Sequence, residues 1–117
     1  MSNYDEKIYK DALKAAQPEL GDEAEQVAKA FATAYAGVKN LKQAPNMDEM
    51  LKLYGLSKQG LQNPPFDQRP APGTFDFKRK KMDSAWGEVV NAGTTPAEAQ
   101  KQYTEFVEKL EEKYGTQ

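Results

Sequence analysis

Residues 46–61 read NMDEMLKLYGLSKQGL, and this stretch determines the fold because it carries the local signals of a helix with one buried face. Asn46 is a favourable N-cap, and Glu49, three residues later, completes a capping box. Apolar residues follow at helical spacing, which predicts that one side of the helix is buried. The residues of this stripe are Met47, Met50, Leu51, Tyr54 and Leu61.

A helix is also predicted immediately before this stretch. Asp22 is a suitable N-cap, and Glu25 completes a second capping box. Pro45 ends the pattern, because a proline cannot continue the backbone hydrogen bonds of a helix. The apolar residues that recur at steps of three and four between these limits are Val27, Phe31, Ala34, Val38 and Leu41.

Two more helices are predicted in the second half of the chain. Asp76 can cap a short helix that contains Trp86 and ends at residues 91–93, which read NAG. Residues 95–98, TPAE, combine an N-cap, a proline at the first helical position and an acid at the third, and the helix that they begin ends at Gly115. No segment alternates long enough to indicate a strand. The predicted fold is therefore all-α, a small four-helix bundle.

Two segments lie outside these helices. Residues 63–73 read NPPFDQRPAPG, and their four prolines predict a long loop between the second and third helices. Residues 1–21 form an N-terminal extension whose one apolar face can add a short helix, ended by Gln17-Pro18 and marginal on its own in water. We therefore divide the chain into this extension and a helical domain of residues 22–117. The face of the extension consists of Tyr4, Ile8, Leu13 and Ala16.

The composition of the 117 residues argues against catalysis, because the chain contains neither His nor Cys. A histidine general base, a thiol nucleophile and an imidazole or thiolate metal site are therefore excluded. The formal net charge is −2, which is not typical of a nucleic-acid-binding protein. Residues 1–26 carry −4, so the remainder carries +2. The sequence shows no signal peptide and no membrane span, and we expect a cytoplasmic protein without stable membrane insertion.

Three features of the helices could bind a ligand, and each has a structural alternative. Residues 78–81, KRKK, place four cations at a helix N-terminus, where the helix dipole disfavours positive charge. They form either a phosphate site or a solvated helix face. Tyr54 and Lys58 are one turn apart and can donate to one phosphate, or they are a core-edge tyrosine beside a lysine. Tyr103 can stack on a purine base or belong to the core.

Taken in order, these elements resemble the acyl-CoA-binding protein family from about Val27 to Gly115. Residues 48–59, DEMLKLYGLSKQ, are similar to the family signature that ends Tyr-x-x-Tyr-Lys-Gln. Further matching pieces are Phe31, residues 38–41, Arg69-Pro70, residues 76–78, Ala85-Trp86, Tyr103 and residues 111–115. The resemblance implies a four-helix up-down-down-up bundle that binds medium- and long-chain acyl-CoA esters noncovalently and carries them in the cytosol.

The resemblance also implies roles for individual residues. Tyr54 and Lys58 match contacts to the 3′-phosphoryl group of CoA, and Tyr103 matches a tyrosine beside the adenine nucleotide. Lys39 and Lys78 fall at basic positions that line the CoA head group. The positions that match apolar residues near the acyl chain are Met50 and Leu51. Independently of the resemblance, we expect the extension, residues 1–21, to cover part of the bundle near the acyl-chain groove, because Tyr4, Ile8 and Leu13 would otherwise be exposed.

The sequence departs from the family pattern at three positions of the implied site. Ser57 replaces a tyrosine on the nucleotide side, and Met82 and Asp83 replace a lysine and a tryptophan. Lys78 or Arg79 could supply the missing charge from a shifted position. Without such compensation, the loss of one charge-assisted hydrogen bond would weaken binding by roughly ten- to a hundredfold. The loop is also two residues longer around Ala71-Pro72 than in the family pattern.

The leading functional hypothesis is therefore an intracellular acyl-CoA carrier and buffer rather than an enzyme. We expect a monomer without catalytic residues, metal or cofactor, which binds no nucleic acid and exchanges acyl-CoA with enzymes that use it. The alternative is a helical module that binds proteins or anionic lipids and has weakened acyl-CoA binding, for which Ser57 and Met82 are the supporting features.

Overall fold

A computed structural model describes residues 3–117 of the chain, and within that range it contains five α-helices and three short 3₁₀ helices. The all-α prediction is confirmed: the four helices predicted for the bundle are present, and one more helix precedes them. The α-helices are α1 (Glu6–Leu20), α2 (Ala24–Gly37), α3 (Met47–Leu61), α4 (Phe77–Asn91) and α5 (Pro96–Tyr114). The 3₁₀ helices are Gly21–Glu23, Val38–Asn40 and Phe66–Gln68.

Helices α3, α4 and α5 begin where the sequence predicts. The capping box of α3 is complete: the backbone N–H of Glu49 donates to Asn46 Oδ1 and that of Asn46 donates to Glu49 Oε1, both at 2.9 Å. Asp76 and Thr95 likewise accept backbone N–H groups in the first turns of α4 and α5. Gly115 follows α5 with a positive φ of 75°, which confirms the predicted end.

The predicted start of α2 is wrong, because the Asp22 side chain does not cap it. The turn Gly21–Glu23 leads directly into α2, and the backbone N–H of Ala24 donates to Gly21 O. At the start of α2, a backbone carbonyl thus accepts the hydrogen bond that the Asp22 side chain was expected to accept. At its other end α2 stops at Gly37, so Val38 lies in the following 3₁₀ turn.

The prediction that Gln17-Pro18 ends the N-terminal helix is also wrong. Helix α1 is 15 residues long and includes Pro18 in its last turn. Contacts on both sides of the proline hold this turn: Ala16 is fully buried, and Glu19 Oε1 accepts the backbone N–H of Ala97 at 3.2 Å. Tertiary packing therefore offsets the hydrogen bond that the proline cannot make.

The hydrophobic core lies between α2, α3 and α5, and α1 packs against all three. Phe31 of α2 is fully buried at its centre. Gln100 of α5 is also fully buried, and its Nε2 donates to Ala12 O and Gly60 O, both at 2.8 Å. This side chain joins α1, α3 and α5. Helix α4 packs mainly on α3, and its buried residue is Trp86.

Candidate functional site

Helix α3 reaches α4 through a close backbone contact at Gly55. A Cβ atom at this position would lie 2.7 Å from Ala85 O, closer than the two atoms can approach. Only a glycine therefore allows this spacing of the two helices. The contact places Tyr54 and Lys58, which flank Gly55 on α3, beside the surface of α4.

A buried glutamine fixes the same contact. Gln59 Nε2 donates to Thr94 O at 2.8 Å, and Gln59 Oε1 accepts from Trp86 Nε1 at 3.3 Å. Both polar groups of the side chain are satisfied, as a buried amide requires. Gln59 therefore sets the position of α4 and of the turn that follows it.

A first depression, which we call the basic pocket, lies between α3, α4 and the long loop. Its volume is about 120 Å³. Lys58 Nζ lies 5.8 Å from the ring centre of Tyr54 and 5.6 Å from that of Trp86, so the ammonium group is held over two aromatic rings. Two further cations, Arg69 and Arg79, line the same pocket. The complete lining is Tyr54, Lys58, Pro64, Arg69, Pro70, Pro72, Arg79, Asp83 and Trp86.

The Arg69 side chain fastens the long loop to α4. Its guanidinium pairs with both carboxylate oxygens of Asp83, with Nη2 and Oδ2 3.0 Å apart, and Nη1 donates to Phe66 O at 2.9 Å. The guanidinium also stacks 3.6 Å from the ring centre of Phe66. The hydrogen bonds to Asp83 raise the pKa of Arg69 above its ordinary value. Asp83, a departure from the family pattern, thus has a structural role.

A second depression, the aromatic pocket, lies on the other side of Tyr54 and has a volume of about 280 Å³. Tyr103 is buried there, and its ring lies 6.0 Å from that of Tyr35 at an interplanar angle of 25°. Burial raises the pKa of the Tyr103 phenol above its ordinary value. The complete lining is Tyr35, Val38, Lys39, Pro45, Met50, Leu53, Tyr54, Ser57 and Tyr103.

Tyr35 is a candidate residue that the sequence analysis did not identify. It is 37% exposed and faces the same pocket as Ser57, whose hydroxyl donates to Tyr54 O at 2.9 Å. Tyr35 follows the buried Phe31 by one helical turn, and the two rings are 6.1 Å apart. That spacing of two aromatic residues is the signal that could have identified it.

A third depression, the apolar groove, has a volume of about 810 Å³ and is formed by α3, α4 and α5. Leu51 lines this groove, whereas Met50 lines the aromatic pocket. The structure thus separates two neighbours that the sequence analysis assigned to one groove, because consecutive helical residues point about 100° apart. The lining is Asp48, Leu51, Lys52, Leu56, Phe77, Lys80, Lys81, Ser84, Ala85, Glu88, Val89, Ala92, Thr94 and Gln102.

The remaining predicted residues lie outside these three depressions. Lys78 is exposed and Met82 is half-buried, and neither lines the basic pocket. Of the two cations considered as replacements for the missing lysine, Arg79 is the one that lines it. Helix α1 supplies no lining residue to any of the three depressions, so the expectation that the extension lies near the groove is wrong. It does cover part of the bundle, as expected, because it packs on α2, α3 and α5.

The fold and the three depressions define the class of protein. It is a small helical bundle in which cations, an exposed tyrosine and an apolar groove lie beside α3. A family model described as acyl CoA binding protein matches residues 28–107. The chain therefore belongs to the acyl-CoA-binding protein family.

Individual relatives agree with this assignment. The chain is 46% identical over 85 residues to acyl-CoA-binding protein homolog 1 of Caenorhabditis elegans. The matched segment covers 73% of this chain and 94% of that protein. It is 38% identical over 89 residues to a homolog from Manduca sexta, covering 74% and 93% of the two chains. A homolog from Drosophila melanogaster is 36% identical over 89 residues, covering 76% and 99%.

Within residues 3–117, no helix combines the length and the apolar character needed to cross a membrane. The same residues contain no group of three or more acidic side chains placed to hold a metal ion.

Proposed function

We propose that the chain binds medium- and long-chain fatty acyl-CoA esters noncovalently, and buffers and carries them in the cytoplasm as a monomer. The observation that supports this most directly is the position of Tyr54, which lines the basic and the aromatic pockets at once. One ligand can therefore present phosphates on one side of Tyr54 and a flat base on the other. The chemistry of the two pockets matches the two halves of a CoA head group.

The basic pocket is the proposed site for the 3′-phosphoryl group. Lys58 and Arg79 supply positive charge, and Tyr54 supplies a hydroxyl donor. Arg79 takes the role of the lysine that Met82 replaces, from one turn earlier on α4. Lys39 lines the aromatic pocket and is placed to neutralise a further phosphate. Lys78, exposed on α4, contributes to the positive field around the pocket.

The aromatic pocket is the proposed site for the adenine base. Tyr35 is stacked on the buried Tyr103 and exposes the aromatic surface that Ser57 lacks. A stacked base gains roughly 1–3 kcal/mol from such an aromatic partner. Tyr35 thus restores a contact that the sequence departure at Ser57 removes.

The apolar groove is the proposed site for the acyl chain. Leu51 and Val89 lie in its wall, and its volume suits a long chain. Met50 is 51% exposed at the edge of the aromatic pocket, where its flexible side chain can contact the ligand between head group and chain. Arg79 and Tyr35 replace the groups that the departures remove, which argues against a bundle that has lost this ligand.

We propose binding without catalysis and without a cofactor. A thioesterase needs an activated nucleophile, and the chain has no thiol and no imidazole to provide or activate one. The proposed exchange of acyl-CoA with enzymes that make or use it requires only reversible binding.

The test is a calorimetric titration with saturated acyl-CoA esters of about eight to twenty carbons. We expect saturable binding that strengthens with chain length, because each buried methylene adds about 0.8 kcal/mol. Free CoA and free fatty acid should bind far more weakly, since each fills only part of the site. A flat titration across the whole series would overturn the proposal.

A further inference from the structure

Two phenylalanines are exposed where the long loop enters α4. Phe75 is 85% exposed and Phe77 is 66% exposed. Neither packs into the core, although a phenylalanine gains most when it is buried. Such exposed apolar side chains next to one another are typical of a surface that meets a partner.

Four cations follow these rings directly. Lys78, Arg79, Lys80 and Lys81 give residues 75–81 a net charge of +3 against Asp76. In the part of the chain that the structure describes, none of the four is in an ion pair, and Asp76 accepts the backbone N–H of Arg79 instead. The positive end of the α4 dipole adds to their field.

This aromatic–basic surface, residues 75–81, borders the apolar groove. Phe77, Lys80 and Lys81 line the groove, and Lys80 Nζ lies 5.5 Å from the ring centre of Phe77. Lys52 lines the groove from α3 and adds one more cation, whereas Asp48 and Glu88 are the acidic groups that line it. Cations therefore outnumber acids around the groove, and the Phe77 ring lies among them.

We propose that the aromatic–basic surface docks on anionic phospholipid bilayers. Phenylalanine rings enter the interface between head groups and acyl chains, while lysine and arginine bind anionic head groups. A bilayer offers an apolar interior and anionic head groups at once, whereas a free phosphate offers no apolar partner. In this orientation the apolar groove opens toward the membrane surface. The docking concerns the protein without ligand and does not depend on the proposed acyl-CoA binding.

The experiment measures binding of the full chain to vesicles of phosphatidylcholine with about 30% phosphatidylserine, and to vesicles of phosphatidylcholine alone. We expect binding to the anionic vesicles only, lost in high salt because the attraction is electrostatic. Phe75→Ser should weaken it about tenfold. Lys80→Glu with Lys81→Glu should weaken it by at least about twentyfold, since each cation contributes about fivefold.

Control variants distinguish the effect of this surface on vesicle binding from the effects of net charge and of acyl-CoA binding. Lys29→Glu reverses one charge on α2, away from the surface, and should change vesicle binding by less than about twofold, against about fivefold for one cation of the surface. Phe75→Ser should leave palmitoyl-CoA affinity unchanged, because Phe75 lines none of the three depressions. Phe75→Trp should retain vesicle binding and show a blue-shifted emission, with Trp86 buried in the background.

Equal binding to neutral and anionic vesicles would contradict the proposal, as would wild-type binding by Phe75→Ser. Sedimentation velocity supplies a further readout. If the wild-type chain self-associates and Phe75→Ser does not, the surface belongs to a second copy of the chain and the membrane proposal is wrong.

Discussion

Helices α5 and α4 differ in what they bury. Six residues of α5 are buried, and this helix packs against α1, α2 and α3. In α4 the buried residue is Trp86, and the helix packs mainly against α3. Helix α5 supplies stability, whereas α4 leaves its cations and the Phe77 ring in contact with solvent. Apart from the aromatic pocket, which Tyr103 of α5 lines, stability and ligand contacts are thus concentrated on different sides of α3.

Helix α3 connects the two sides, so changes on each side should affect different measurements. A change on the α5 side that does not touch the aromatic pocket should lower the free energy of unfolding and leave affinity intact. A change at the α3–α4 contact should affect both quantities.

Deleting residues 1–21 has the largest expected effect and tests the stable side alone. Ala12 and Ala16 of α1 are fully buried, and Ile8 and Leu13 pack against the cores. Removing these contacts should lower the free energy of unfolding by about 2–4 kcal/mol. The affinity for palmitoyl-CoA should change by less than about twofold, because α1 lines none of the three depressions.

Urea denaturation and calorimetry of the truncated chain measure these two outcomes. A stable truncated chain would show that residues 22–117 form an independent domain, as the sequence analysis predicts. A large loss of affinity in a chain that remains folded would contradict the separation of the two sides.

Gly55→Ala tests the contact between the two sides. The new methyl group would lie 2.7 Å from Ala85 O, so the helices must move apart. We expect a loss of about 1–3 kcal/mol in the free energy of unfolding and a weaker affinity for palmitoyl-CoA. Thermal unfolding and calorimetry give the two values.

Gly87→Ala is the matched control on α4. Its new Cβ would lie 3.4 Å from Phe66 Cζ, a side-chain atom that can move. Alanine is the better helix former, so this variant should be as stable as the wild type or slightly more stable. If both variants behave alike, the close backbone contact at Gly55 does not set the position of α4.

Glu49→Gln has the smallest expected effect and tests the ends of α3 and α5. The Tyr114 hydroxyl, Lys113 and the backbone N–H of Asn46 all hydrogen-bond the Glu49 carboxylate and lower its pKa to about 2. A lowered pKa in the folded state stabilises the fold above the ordinary value of 4.5, and this contribution is lost as the pH falls through about 2.

Melting temperatures across that pH window measure the contribution. The wild type should lose more stability than Glu49→Gln between pH 4.5 and about 2, and by only a small amount, because the partner Lys113 is exposed to solvent. Glu112→Gln, an exposed change on α5, should follow the wild-type profile. Identical profiles for Glu49→Gln and the wild type would show that this contact does not stabilise the fold.

Local signals predict much of the fold, and long-range contacts account for the errors. The caps at Asn46, Asp76 and Thr95 depend on neighbours within three residues, so the sequence predicts them well. The length of α1 depends on contacts with Ala97 and Gln100, about eighty residues away, that no local pattern contains. Local reasoning therefore ended this helix too early.

The candidate site was predicted in part for the same reason. Tyr54 and Lys58 are one turn apart on α3, so their neighbourhood follows from helix geometry. Other residues join the site only through tertiary packing. The packing of the loop and α4 on α3 brings in Arg79 and Asp83, and the position of α2 brings in Tyr35. Their partners are far away in the sequence, and only the structure brings them together.

The most direct test of the account compares palmitoyl-CoA titrations of the wild type with Lys58→Ala and Tyr35→Ala. We expect Lys58→Ala to weaken binding by roughly ten- to a hundredfold, and Tyr35→Ala by roughly five- to a hundredfold. Tyr35→Phe and Lys29→Ala, the matched controls, should bind like the wild type. All four variants should keep a helical far-UV CD spectrum. Wild-type affinity in both Lys58→Ala and Tyr35→Ala would show that the ligand does not bind across Tyr54 and would contradict the account.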